Sequence, residues 1–346
     1  MKIFRIIPVA LAFATFFLAG CSSTKETPPE VVPVFAKGAD VGWVTEMESK
    51  GIKFYDAAGN EKELMVLLKS LGINSIRLRA WVNPQKGWNN TKDLVVKAKR
   101  AKDLGMTLMI DFHYSDDWAD PAKQPMPKAW SKMDYDKVKK ALYDYTAGVM
   151  DTLKMNGITP EWVQVGNETN DGMMWEMGRA SSSMANFAGL ITSGYNAIKS
   201  VSPETKVIVH LSNGYDNKMF RWMFDGLKAN KAPWDIIGMS VYPYWSPTGA
   251  ASWKTINEQA LENMKDMITR YGTPVMVVEA GSPASDPEMS KLYLTDLIQK
   301  TKSLDKHMGL GVFYWEPECY SKFNDYPLGA FNAEGKPTIA MDAFAD

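Results

Sequence analysis

Two glutamates sit at the ends of apolar runs in this chain. Glu168 closes WVQVGNE (162–168) and Glu279 closes PVMVVE (274–279). A charge at the mouth of a buried strand is unfavourable by several kcal/mol unless it is neutralised or serves a ligand. Two carboxyls facing one pocket supply what cleavage of a glycosidic bond needs: an acid that protonates the leaving oxygen, and a second carboxylate opposite the anomeric carbon. A separation of about 5–5.5 Å gives retention of configuration through a covalent intermediate. The two must then differ in pKa, with the donor kept protonated by its neighbour's charge and by partial burial.

The elements that must hold these groups are short apolar runs alternating with helical periodicity. The strand segments are FAKGADV, NSIRLRA, MTLMIDF, WVQVG, KVIVHL, DIIGMSV, PVMVVEA and LGVFYW. In KELMVLLKSLG (62–72), Leu64, Leu67, Leu68 and Leu71 share one helix face and Gly72 stops the helix. Eight units recurring every roughly 30–55 residues predict a single-domain (β/α)₈ TIM barrel. The rival, a doubly wound open sheet, lacks its usual G-x-G-x-x-G or GK[ST] signature here. Barrel enzymes place their chemistry at the C-terminal strand ends, and nearly every strand here ends in a polar or aromatic group. These are Asp40; Arg77 and Arg79; Asp111 and His113; Asn167 and Glu168; His210; Tyr242; Glu279; and Trp315 with Glu316. The bland alternative is a polar plug whose members satisfy one another. Arg77 is expected to face the helices or a salt bridge and is the less functional of the two arginines. Asp111 is expected to be structural, and Glu316 to point away while Trp315 points inward.

Bulk composition narrows the partners. The 346 residues are 45% apolar and 23% charged, with 39 Lys+Arg against 40 Asp+Glu and a net charge of −1. With no long basic block, nucleic acid is not an expected partner. Aromatics make up 12% of the chain, including 12 Trp, more than a core needs, and exposed Trp faces suit the C–H faces of sugars. At the N-terminus, Lys2 and Arg5 precede an apolar stretch that ends in Leu18-Ala19-Gly20-Cys21. That reads as an export signal closing in what resembles a bacterial lipoprotein box. The expected organisation is a signal peptide over 1–20, a lipidated Cys21 with a flexible tether over 21–34, and a catalytic domain over 35–346. Such a protein would be an exported, outer-membrane-anchored lipoprotein, on the cell surface or the periplasmic face, and a monomer. Cys319 would be the one remaining thiol, buried or semi-buried and structural, without an intramolecular disulfide partner.

Glutamates after the fourth and seventh strands are the signature of the clan of retaining (β/α)₈ glycosidases. Within it the chain resembles the endo-β-1,4-galactanases of glycoside hydrolase family 53. The match is carried by GADVGW (38–43), IRLRAWVNP (76–84), DFHYSDDWADPAKQPMPKAW (111–130), QVGNETNDGMMW (164–175), VVEAG (277–281) and GVFYWEP (311–317). The resemblance implies Glu168 as acid/base and Glu279 as nucleophile. It implies that Asn167 bonds the sugar 2-hydroxyl, that Arg79 and Tyr242 hold the nucleophile ionised, and that Trp315 forms the floor under the sugar. Asp40, His113 and His210 would line the same subsite. Trp81, Asp116, Trp118 and Trp245 would flank it, with core packing an equal alternative for Trp118. The implied substrate is β-1,4-galactan, as in type I arabinogalactan of pectin, cut internally and without a cofactor. Some bacterial members hold a structural calcium. Asn324 and Asp325 are the candidates here, and a plain turn is the favoured reading. Met173 and Met174 are expected in the core. The rival functions are a clan relative acting on mannan, glucan or xylan, and a non-catalytic glycan-binding lipoprotein.

Overall fold

Eight parallel strands close into a barrel in a computed structural model of the chain, which describes Met1, residues 34–320 and residues 323–345. The strands are β1 (Ala36–Asp40), β2 (Ser75–Ala80), β3 (Thr107–Phe112), β4 (Trp162–Val165), β5 (Lys206–Leu211), β6 (Ile236–Val241), β7 (Val275–Ala280) and β8 (Gly309–Trp315). Each pairs with its sequence neighbour, and β1 joins β8 to close the sheet. Seven of the eight strands fall within the segments expected from the apolar runs, and β8 starts one residue before its segment, at Gly309. The outer layer consists of α1 (Leu64–Ser70), α2 (Thr91–Asp103), α3 (Tyr135–Met155), α4 (Met184–Val201), α5 (Asn217–Ala229), α6 (Trp253–Tyr271) and α7 (Pro287–Lys302). A C-terminal 3₁₀ segment, Ile339–Phe344, packs against α7 and completes the ring.

Helix starts are specified locally. Asn90, Asp134, Ser183, Asp216 and Asp286 precede α2, α3, α4, α5 and α7, and each accepts a bond from a backbone N–H in the first turn. A cap of this kind contributes about 1 kcal/mol. These starts follow the C-terminal strand ends, so the caps fix loop geometry on the face where the polar residues gather.

Inside the barrel, alternate residues stack in layers. Ala36, Met109, Ile208, Ile236, Met276, Val278 and Phe313 form a sealed apolar cluster. Two positions further along their strands, Asp111, His210 and an inward Gly238 replace the apolar groups. Gly38 belongs to this interior because a Cβ there would fall 2.0 Å from the Phe313 ring. Gly42 has a similar reason, since a Cβ would meet the Arg79 guanidinium at 2.2 Å. Close approach therefore accounts for both glycines of GADVGW.

Met173 and Met174 are buried in the main core, as expected. Cys319 is a buried free thiol that donates to the Phe323 carbonyl at 3.3 Å. The expected signal peptide, Cys21 and most of the tether lie outside the described residues. Among the described residues, no helix is long and apolar enough to cross a membrane.

Candidate active site

A cavity of about 1510 Å³ opens at the C-terminal strand ends. Of the residues expected at a site, Trp81, His113, Asp116, Trp118, Asn167, Glu168, Tyr242, Trp245, Glu279 and Trp315 line it. Asp40, Arg79 and His210, expected to touch the sugar or the nucleophile, do not line it: they are fully buried behind its wall.

Each carboxyl reaches the cavity through a local departure from regular strand geometry. After β4, Gly166 and Glu168 both adopt positive φ, 88° and 45°. The left-handed conformation at Glu168 costs a non-glycine residue about 1–3 kcal/mol and persists only where its surroundings impose it. Here the Glu168 N–H points at His210 Nδ1 (3.3 Å), Thr169 N–H donates to the His210 carbonyl (2.9 Å), and Gln124 Nε2 donates to the Asn167 carbonyl (2.8 Å). In β7, Met276 and Val278 face the barrel interior while Val277 faces the helices. Strict alternation would send Glu279 outward. The β6–β7 register shifts by one residue between Met239 and Ser240, pairing Ser240 with Glu279, and this bulge turns the carboxyl inward.

Arg77 organises the polar layer. Its Nε donates to Gln164 Oε1 (2.6 Å) and its Nη1 to Asp40 Oδ2 (2.7 Å). Nη2 reaches Asp111 Oδ2 (2.9 Å), Asn167 Oδ1 (3.0 Å) and Glu279 Oε1 (2.8 Å). Of the two placements expected for Arg77, the helices or a salt bridge, the second holds, and the salt bridge is inside the barrel. The expectation corrected is the functional one, because Arg77, not Arg79, is the guanidinium paired with Glu279. Burial alone would lower its pKa, but Asp111, Glu279 and Asp40 outweigh that and raise it. Arg79 instead pairs through Nη1 with Glu316 and Asp40. Glu316, expected to point away, turns in at φ 47° and also accepts from the Trp43 N–H at 3.2 Å. Asp111 is an internal strut, as expected: it bonds Arg77, Gln164 Nε2 (3.1 Å) and His113 Nε2 (2.9 Å). His113 Nδ1 accepts from Trp81 Nε1 (3.1 Å), so its proton sits on Nε2 toward Asp111.

The two candidate acids differ in their partners. Glu279 has Arg77 on Oε1 and the Tyr242 hydroxyl on Oε2 at 3.1 Å. Among the described residues Glu168 has one neutral donor, the Ser240 hydroxyl on Oε1 at 2.7 Å. Burial raises both pKa values, Glu168 to about 7; at Glu279 the Arg77 charge opposes the rise and the Glu168 charge adds to it. Two carboxyls that feel each other titrate as a pair. The first proton to bind settles on Glu168, because Glu279 alone has an ion pair and loses the repulsion once Glu168 is neutral. An acid needed in its protonated form is lost as pH rises through its pKa. The kcat/KM profile is therefore expected to fall on a basic limb near pH 7, measured on a substrate with a poor leaving group.

Aromatic rings form the walls. Trp315 packs edge-on against Trp43 (centroids 5.0 Å) and Tyr326 (4.7 Å), and Trp118 lies 5.9 Å from it. The Arg79 guanidinium sits among four indoles, Trp43, Trp81, Trp118 and Trp315, at 5.4, 5.6, 4.6 and 5.7 Å. Among the described residues its Nε and Nη2 have no hydrogen-bond partner, so on those sides the ring faces hold its charge. Trp245 stands 57% exposed at the rim, a free platform. Asp116 uses both oxygens on backbone, accepting from the N–H of Asn83 (3.0 Å) and Lys128 (2.9 Å), and so staples two rim loops. Asn324 and Asp325 adopt left-handed φ in a tight turn. Among the described residues, no three metal-ligating side chains cluster.

Sequence reasoning missed Gln164, Ser240 and Trp43. The first two lie inside apolar strands, where a neutral polar residue attracts little notice. The available signal was the period-two offset that puts Gln164 on the same face as Trp162, and Ser240 on the face of Ile236 and Gly238.

Comparison with known proteins agrees with this geometry. The family model for glycosyl hydrolase family 53 matches residues 36–336. An uncharacterized protein of Niallia circulans is 37% identical over 336 residues, covering 88% of this chain and 89% of that protein. A probable arabinogalactan endo-β-1,4-galactanase A of Neosartorya fischeri is 34% identical over 303 residues, 81% of this chain and 83% of that one. Among solved structures, a fungal β-1,4-galactanase superposes with a TM-score of 0.83 at 31% identity, covering 90% of this chain and 99% of that chain.

Proposed function

The chain belongs to glycosyl hydrolase family 53, and we propose on that premise that it cleaves internal β-1,4-galactosidic bonds of galactan by double displacement. The observation that carries the mechanism is the asymmetry between two glutamates on one cavity. Glu279 is clamped by a cation and a phenol, and Glu168 is held by a single hydroxyl. In the first step the Glu279 carboxylate attacks the anomeric carbon, and the Glu168 proton passes to the departing glycosidic oxygen. In the second step Glu168 takes a proton from water, whose oxygen displaces Glu279 and restores both groups. Asn167 serves the sugar 2-hydroxyl: its Oδ1 is held by Arg77 and one Nδ2 hydrogen by the Ala119 carbonyl, leaving the other hydrogen to donate. Trp315 provides the apolar floor. Asp40 and Arg79 support the site from behind, and no step calls for a metal.

A product time course on galactan, beside mannan, carboxymethyl-cellulose and xylan, tests sugar, linkage and internal cleavage together. Galactan left intact while another glycan is cut removes the substrate assignment. The acid assignment has its own test. Glu168→Ala is expected to lose about 10²–10⁴-fold on galactan yet still form the glycosyl-enzyme from aryl glycosides with good leaving groups. Azide should then accelerate its turnover. Equal loss on every substrate, with no azide effect, means the roles are assigned wrongly.

Anchoring is part of the same proposal, and the support for it is the sequence around Cys21. A full-length chain expressed in a Gram-negative host is expected to partition into detergent and to carry an acyl modification by mass spectrometry. Cys21→Ser should move it to the aqueous phase. An unmodified wild-type chain rejects the anchor.

A further inference from the structure

Glu168 is tied to Arg77 by a chain of hydrogen bonds whose direction can be worked out atom by atom. Arg77 Nε can only donate, so the atom of Gln164 it meets at 2.6 Å is the carbonyl oxygen. The other end of that amide, Nε2, is then a donor twice, to Asp111 Oδ1 at 3.1 Å and to His210 Nδ1 at 2.9 Å. Both ends of Gln164 agree, because Asp111 lies between donors and accepts. His210 Nδ1 meets two N–H groups, from Gln164 and from the Glu168 backbone (3.3 Å), against one acceptor, Asn167 Oδ1 at 3.1 Å, which Arg77 already engages. Nδ1 therefore accepts and Nε2 carries the hydrogen. A second proton on the ring is disfavoured by its burial and by the Arg77 charge. His210 Nε2 donates to Ser240 Oγ at 2.8 Å, and the one hydrogen of Ser240 is left to donate to Glu168 Oε1 at 2.7 Å.

We infer that Ser240 is a positioning residue for the acid: the one-way chain Arg77–Gln164–His210–Ser240 locks its hydroxyl as a donor to Glu168 Oε1, confining the transferable proton to Oε2. The same guanidinium holds Glu279, so acid and nucleophile hang from one cation with their donors aimed in advance. In the second step the chain is unchanged, and Oε2 is again the atom that receives the proton from water. The other groups facing Glu168 are Arg77, Asp111 and Asp120, with Glu279 and Tyr242 across the cavity. Among the described residues, Ser240 is the hydrogen-bond donor that reaches its carboxyl oxygens.

The inference rests on Glu168 being the acid, so hydrolysis of galactan by the wild-type chain is measured first. A wild type inert on galactan defeats the functional reading, and the variants are then compared on whichever β-1,4-glycan it does cut. Ser240→Ala is expected to reduce kcat/KM on the glycan about 10-fold or more, in keeping with loss of a hydrogen bond to a charged group. An aryl glycoside with a good leaving group, which needs no proton, should lose much less. A hydroxyl donor favours the ionised carboxylate, so its removal should raise the pKa of the acid and move the basic limb upward by about one pH unit. Ser240→Thr should restore both the rate and the limb. His210→Phe leaves the hydroxyl present but free to turn, and should give a smaller change in the same direction. It also provides the test if Ser240→Ala fails to fold. Equal loss on both substrates with the limb unmoved, or full glycan activity in a folded Ser240→Ala, overturns the inference.

Discussion

Glu279→Ala is expected to lower turnover of galactan at least about 10⁴-fold and, unlike loss of the acid, to abolish hydrolysis of activated aryl glycosides too. The reason is covalent: without this carboxylate no glycosyl-enzyme forms, and leaving-group quality cannot compensate. The variant should fold at least as well as the parent. Glu279 is buried against its tendency to stay hydrated, and its removal leaves Arg77 still paired with Asp40 and Asp111. Melting temperature and rates on both substrate classes check this. Near-parental rates on the aryl glycoside would show that another group attacks the anomeric carbon.

Removing Arg77 is expected to damage both stability and activity. Arg77→Ala takes the ion-pair partner from Asp111 and Glu279 and leaves Asp40 only the longer contact to Arg79, around an empty volume in a layer that is almost fully buried. Breaking a buried ion pair from one side typically costs about 3–5 kcal/mol, and here one cation serves three anions. Denaturant unfolding reads that loss. In whatever fraction folds, Glu279 has lost its counter-charge and should hold a proton at neutral pH, which silences the nucleophile. Arg77→Lys restores a charge but not the fork that reaches Gln164, Asp40 and the Asp111–Glu279 side at once, so stability should recover more than rate. An Arg77→Ala chain with unchanged unfolding midpoint and activity would mean the hub is ornamental. Arg79 is not equivalent. Its charge rests on four indole faces, on Glu316 and on Asp40, and among the described residues the cation paired with Glu279 is Arg77.

The choice between these arginines shows where sequence reading fails. Arg77 and Arg79 are two residues apart on one strand, so both point to the same side. Alternation cannot say which is level with Glu279. The stagger of β2 against its neighbours around the barrel sets that height, and stagger is a property of the closed sheet. Asp40 and His210 were misjudged in the same way. A strand end brings a polar group near the mouth, but one residue of depth separates a cavity wall from the layer beneath it. Glu316 was misjudged because its left-handed backbone reverses the side-chain direction that alternation assigns after Trp315.

What the chain by itself determined is the barrel, the positions of its strands, and the two glutamates at the fourth and seventh strand ends. These follow from local facts: apolar runs of strand length, helix faces, caps, and charges that cannot be buried without a purpose. Only the tertiary structure decided which cation meets the nucleophile, which way the acid's donors point, and that Glu279 faces inward at all. That last point depends on a one-residue bulge between β6 and β7, and a register shift is decided by how neighbouring strands pair, which no single strand's sequence contains.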